Sequence, residues 1–185
     1  MKLEKLVAFH CSPALFGLKA SNIVNCSKKD YPDLKKEILL LNRKLNKKGI
    51  FIETLCECDL NALIIVYKKK CLQEYLQRKD INDFLVNEGY PKSEAIEIYL
   101  KKLRLKLTCG GAFPHEIGAF LGYPIGDIYG FMHKETSVCL FTGYWKVYSN
   151  VEETKEKFKR YDKCRSAIMR MMSEGKDLAA ILGCA

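Results

Sequence analysis

The chain has 185 residues, enough for one domain (1–185) that buries most of its apolar surface, and its 48% hydrophobic content is that of a folded protein. It holds no run of about 18 apolar residues, so no membrane-spanning helix is expected. The formal net charge of +9 invites a nucleic-acid reading, but the basic residues are spread over 28–48, 68–79, 92–106 and 155–170 with acids among them. That is the pattern of solvated helix faces, and only weak, nonspecific nucleic-acid binding is expected from it.

In chain order, residues 3–9 read as a short helix ending at His10-Cys11, and Ser12 caps a second short helix with Pro13 at its first position. The start, MKLEKLVAFHC, is too short and too charged for a signal peptide. Nine cysteines, an odd number without an export signal, then read as thiols, and a cytoplasmic protein is expected. Gly17 closes the early turn and 19–26 is extended. Residues 32–48 form an amphipathic helix on Leu34, Ile38, Leu41 and Leu45, stopped by Gly49.

Residues 50–57 and 62–67 read as a hairpin whose second strand, ALIIVY, is apolar throughout and therefore central, covered on both faces. Helices follow over 69–78, from Asp80 to Gly89, and from Ser93 along the stripe Ile96, Leu100, Leu103 and Leu107. Pro114 opens a helix that Gly122 closes, and Pro124 opens one running to His133. Residues 137–148 read as the last strand. Asn150 and Glu153 form a capping box for a long helix supported by Glu153–Lys157 and Glu156–Arg160 pairs, and a short helix covers 177–182. The fold class is α+β: a helix-rich domain around a small, partly antiparallel sheet of three to four strands.

Reactive and aromatic side chains concentrate in 109–148. His115 and Glu116 fall in the first turn of the helix that Pro114 opens, where unpaired N–H groups favour a neutral imidazole, a ligand or base. Gly110 and Gly111 precede it, an approach that can hold an anion on backbone N–H groups. Cys11, beside Ser12-Pro13, is a candidate nucleophile with His115 as base and Glu116 as orienter. Cys11, His115 and Cys139 are the alternative metal set, with no local spacing that demands it; the C-x-C pair at Cys56 and Cys58 is a still weaker zinc signal. Strand alternation puts Tyr144, Lys146 and Tyr148 on one face and Trp145 with Val147 in the core. With Lys19 as a second cation, that face suits an anionic aromatic ligand.

Three blocks, HCSPALFGLKASN, FPHEIGAFLGYPIGDIYGF and GYWKVY, resemble in content and order the signatures of the uncharacterised bacterial domain-of-unknown-function family 3793, common in anaerobic Gram-positive bacteria. The resemblance implies a small cytoplasmic single-domain protein with a link to redox or iron metabolism, and carries no activity or catalytic assignment. Two functions stand side by side. One is a binding or accessory module for a metal, a flavin-like or tetrapyrrole-like cofactor, or an anionic metabolite, held between 109–123 and GYWKVY. The other is a thiol enzyme built on Cys11, His115 and Glu116.

Overall fold

The computed structural model describes residues 2–108 and 113–183. It opens with α1 (Lys2–Leu15), one helix where two were expected. Pro13 cannot donate to the Phe9 carbonyl, and that acceptor is taken instead by Arg165 Nε at 3.1 Å. The helix therefore continues through the proline. After β1 (Ser21–Ser27), α2 (Leu34–Leu45) tightens into a 3₁₀ turn over Asn46–Lys48, and Gly49, at φ 71°, ends it as expected.

The hairpin forms as read, with β2 (Ile50–Glu57) joined to β3 (Asn61–Lys68). Both β1 and β2 pair with β3 in antiparallel register, Val24 opposite Ile64 and Ile52 opposite Val66. The central strand is covered on both faces. Ala62, Ile64 and Val66 enter one core with α1, α2 and the far end of the last long helix, whereas Ile65 and Tyr67 enter a second. Ile64, Ile65 and Val66 are fully buried, each contributing about 1.5–3 kcal/mol, and because they point alternately into the two cores the strand ties them together.

The second core is built by α3 (Lys69–Leu76), α4 (Lys79–Asn87), α5 (Ile96–Thr108), α6 (Ile117–Phe120) and α7 (Ile125–Met132). Ile96, Leu100 and Leu103 are buried as the stripe required. The expected last strand is reduced to β4 (Phe141–Thr142) and β5 (Lys146–Val147), a two-stranded ribbon bent at Gly143. Then come α8 (Val151–Ser173) and α9 (Leu178–Ile181). The capping box is absent: Asn150 sits in the left-handed region at φ 45° with no side-chain cap bond, and Glu153 pairs with Lys157 at 2.7 Å. Glu156 takes Lys159 at 2.5 Å rather than Arg160. Among the described residues, no helix is long and apolar enough to cross a membrane.

Candidate functional site

The chain leaves α6 through a Schellman ending. Gly122, at φ 72°, donates to the Ala119 carbonyl (3.1 Å), and Tyr123 donates to the Gly118 carbonyl (3.0 Å). A Cβ at Gly122 would lie 3.0 Å from that of Ala20, so the turn also seats α6 against the approach to β1. The reversal lays the Tyr123 ring on the indole of Trp145, stacked at 4.6 Å, and the indole meets Phe158 of α8 edge to face at 4.5 Å.

Asp127 fixes this arrangement. It is 2% exposed, and its Oδ2 accepts from Trp145 Nε1 at 2.7 Å. Its Oδ1 accepts from the backbone N–H groups of Tyr148 (2.8 Å) and Ser149 (3.0 Å) and from the Ser149 hydroxyl (3.1 Å). One carboxylate in the first turn of α7 thus holds the segment that carries Trp145 and Lys146. One helical turn on, Gly130 lies so close to the Tyr148 ring that no Cβ fits between them.

Between α6, α7 and β5 lies a cavity of about 320 Å³. Its walls are the Tyr123–Trp145 stack, Ile117 and Gly118 from α6, and Phe131 from α7. His115 meets Phe131 edge to face at 5.1 Å, and His115, Phe113 and Lys146 are the exposed members of the lining. Both oxygens of Asp127 are engaged, so its carboxylate does not offer a free acceptor to a ligand. Burial pushes the Tyr123 hydroxyl up to about 12, which keeps it a neutral phenol. The lining therefore presents aromatic faces with an ammonium and an imidazole. That chemistry suits a flat molecule carrying negative charge.

Of the residues expected to form a site, His115 and Lys146 do share this cavity, and Trp145, read as core, is both buried and part of the wall. Cys11 is elsewhere. It lies past the middle of α1 rather than at a helix start, is 0% exposed within the first core, and burial drives its thiol far above the ordinary value. A thiol so placed is closed to solvent. Cys139 is exposed, its sulfur 3.4 Å from the Phe141 carbonyl, and no group of three or more His, Cys, Asp or Glu side chains able to hold a metal exists among the described residues. The set Cys11, His115, Cys139 is not assembled.

Glu116 does not orient His115. Residues 114–116 form tight i→i+3 turns and α6 begins only at Ile117, so the expected helix start at Pro114 is absent. The Glu116 carboxylate, 4% exposed, turns away to Lys106 Nζ at 2.5 Å and Tyr90 Oη at 3.4 Å. Glu116→Gln should therefore cost about 1–2 kcal/mol of stability through the lost charge-assisted bond. Denaturant unfolding checks this, and the variant's affinity for a cavity ligand should stay at the wild-type value.

Tyr144 is held on α8 by Asp162 Oδ1 (2.7 Å), and Tyr148 lies over Gly130, so neither joins Lys146 at the cavity. The bend at Gly143 defeats the simple alternation that grouped them. Lys19 lines a neighbouring cleft, touching the cavity only through the Tyr123 ring, 5.1 Å from its Nζ. Gly110 and Gly111 fall outside the described residues. The sequence reading missed Asp127, Tyr123 and Phe131. All three lie in the FPHEIGAFLGYPIGDIYGF block, and an acid three residues after a helix-opening proline was the available signal.

Fold and site together define a small α+β protein with helices on both faces of a three-stranded antiparallel sheet and an aromatic cavity at one side. The chain matches the family described as Protein of unknown function (DUF3793) over residues 7–182, and belongs to it. No curated protein and no solved structure matches it.

Proposed function

We propose that the protein is a binding module whose cavity holds a planar, anionic heterocycle, a flavin-like cofactor or an aromatic metabolite with an acidic group. The observation that carries this reading is the combination of a Tyr123–Trp145 stack and Phe131 with Lys146 and His115 at one opening. At about 320 Å³ the space is near the lower end of ligand pockets, about 300–1,000 Å³, which favours a fused ring system over a tetrapyrrole macrocycle. A ring entering beside the stack buries apolar area, while the ammonium of Lys146 meets its charge.

Trp145 is the chain's single tryptophan, so its emission reports on the cavity directly. Titration with flavin mononucleotide should quench it saturably, and Lys146→Gln and His115→Ala should each weaken binding by about fivefold or more, as loss of a charged contact implies. Both residues are exposed, and their loss should change stability by less than about 1 kcal/mol. Protein purified without oxygen should be inspected for a copurifying chromophore. If neither flavin mononucleotide nor a planar aromatic carboxylate quenches saturably, or a porphyrin alone does, the reading is wrong.

A further inference from the structure

A second cleft, about 460 Å³, lies between the α1–β1 connection, α3 and α8. Lys19 lies in its wall, only 7% exposed. Among the described residues its ammonium has neither a carboxylate partner nor a hydrogen-bond acceptor. The titratable side chain that most influences it is Cys11, whose thiol burial keeps neutral. What the ammonium does face is the Tyr123 ring, 5.1 Å from Nζ. An ammonium largely withdrawn from water without a counter-ion is a costly arrangement, and the fold retains it where a cleft opens.

The other charges of the cleft are already matched. Arg78 binds Asp80 at 2.8 Å, Lys157 binds Glu153 at 2.7 Å, and Glu74 lies 3.9 Å from Lys70. Tyr75 donates to the Tyr123 carbonyl at 2.6 Å. Tyr161, 4% exposed on α8, has a hydroxyl without a hydrogen-bond partner among the described residues. Burial pushes that hydroxyl up to about 12, so it stays a neutral donor. One unmatched cation and one unmatched donor thus share a space large enough for a small molecule.

We propose that this cleft is an oxyanion site, taking the phosphate or carboxylate group of a small metabolite with Lys19 as counter-ion and Tyr161 as hydrogen-bond donor. It is separate from the aromatic cavity and does not depend on what that cavity holds. Burial pulls the Lys19 ammonium down to about 8, so it is still mainly charged at neutral pH, and a bound anion would restore it toward its ordinary value.

Isothermal titration with inorganic phosphate and with acetate, at ionic strength held constant by sodium chloride, tests the assignment. Wild type should bind at least one of them at millimolar concentration, phosphate pointing to phosphoester ligands and acetate to carboxylates. Lys19→Met should weaken binding by about tenfold or more, as the loss of a charge-assisted contact requires, and Tyr161→Phe should weaken it less. Lys146→Gln, at the aromatic cavity, should leave it unchanged. In wild type the same anion should slow acylation of Lys19 by acetic anhydride relative to exposed Lys70, read by peptide mass spectrometry. Absence of binding by both anions, equal affinity in Lys19→Met, or no protection of Lys19 overturns the proposal.

Discussion

Asp127→Ala is expected to lower the unfolding free energy by about 3–5 kcal/mol, the cost of removing one charged partner from a buried, hydrogen-bonded group. Four donors lose their acceptor at once: the Trp145 indole, the Tyr148 and Ser149 amides, and the Ser149 hydroxyl. The indole cannot turn to water without leaving its stack on Tyr123. Hydrogen exchange should show lost protection at Tyr148 and Ser149, and the Trp145 emission should shift as the wall loosens. Asp127→Asn should be intermediate. Its one carbonyl oxygen can serve the three donors at Oδ1, which leaves the amide NH₂ facing the indole N–H, donor against donor. Trp145→Phe removes that clash, so the double variant should lose less than the two single losses combined. Strict additivity would mean that Asp127 and Trp145 are not coupled as drawn.

The sheet was legible because its signals are local. ALIIVY is apolar on successive residues, short, rich in β-branched side chains and preceded by a turn, which together mark a strand covered on both faces, and Ile64, Ile65 and Val66 are indeed fully buried. Gly49 and Gly122 stop helices at the expected positions because each adopts a left-handed conformation that other residues resist. What failed was whatever depended on a distant partner. Pro13 reads as a helix start until Arg165, 156 residues from Phe9, supplies the missing donor to that carbonyl. Glu116 reads as an orienter of its neighbour until Lys106 claims it. Cys11 looks reactive from its sequence neighbours, and only packing in three dimensions puts it in a core.

The site was half legible for the same reason. The notion of a site between 109–123 and GYWKVY depended on composition, which survives folding; 109–112 fall outside the described residues, and His115 and Lys146 do line one cavity. The division of labour within GYWKVY depended on an unbroken strand. Gly143 N–H instead donates to the Trp145 carbonyl at 3.0 Å, closing a turn that sends Tyr144 to α8. Asp127 carries no sign in the sequence of which donors it will gather, since all four lie 18–22 residues away.

Lys19→Met is expected to stabilise the protein at pH 7 in phosphate-free buffer, by about 3 kcal/mol at most. The figure is the gap between the ordinary 10.5 and about 8, the value to which burial pulls this ammonium. Methionine keeps the apolar stem and removes the charge, so the variant folds without largely desolvating an ammonium that has no counter-ion. The pH dependence has a definite sign. Below about pH 8 the lysine is protonated in both states, and the wild type carries the whole cost. Between about 8 and 10.5 the folded chain releases the proton while the unfolded chain still holds it, so the cost fades as pH rises. The advantage of the variant should shrink over that window and vanish above it. Tyr75 and Tyr161 line the same cleft and the Tyr123 ring lies 5.1 Å from Lys19 Nζ; burial raises each hydroxyl to about 12, so their contributions are lost at high pH in both proteins and cancel in the difference. Cys11, Arg78, Glu74 and Lys157 are likewise common to both. Chemical denaturation at pH 7, 9 and above checks the whole curve. A Lys19→Met that is less stable than wild type at pH 7 would show that the ammonium has found a partner within the protein, and the cleft would then hold no unmet charge for an anion to satisfy. A stabilised variant that no longer binds phosphate or acetate would show the opposite: a lysine kept at the expense of stability, which is how a binding residue differs from a packing one.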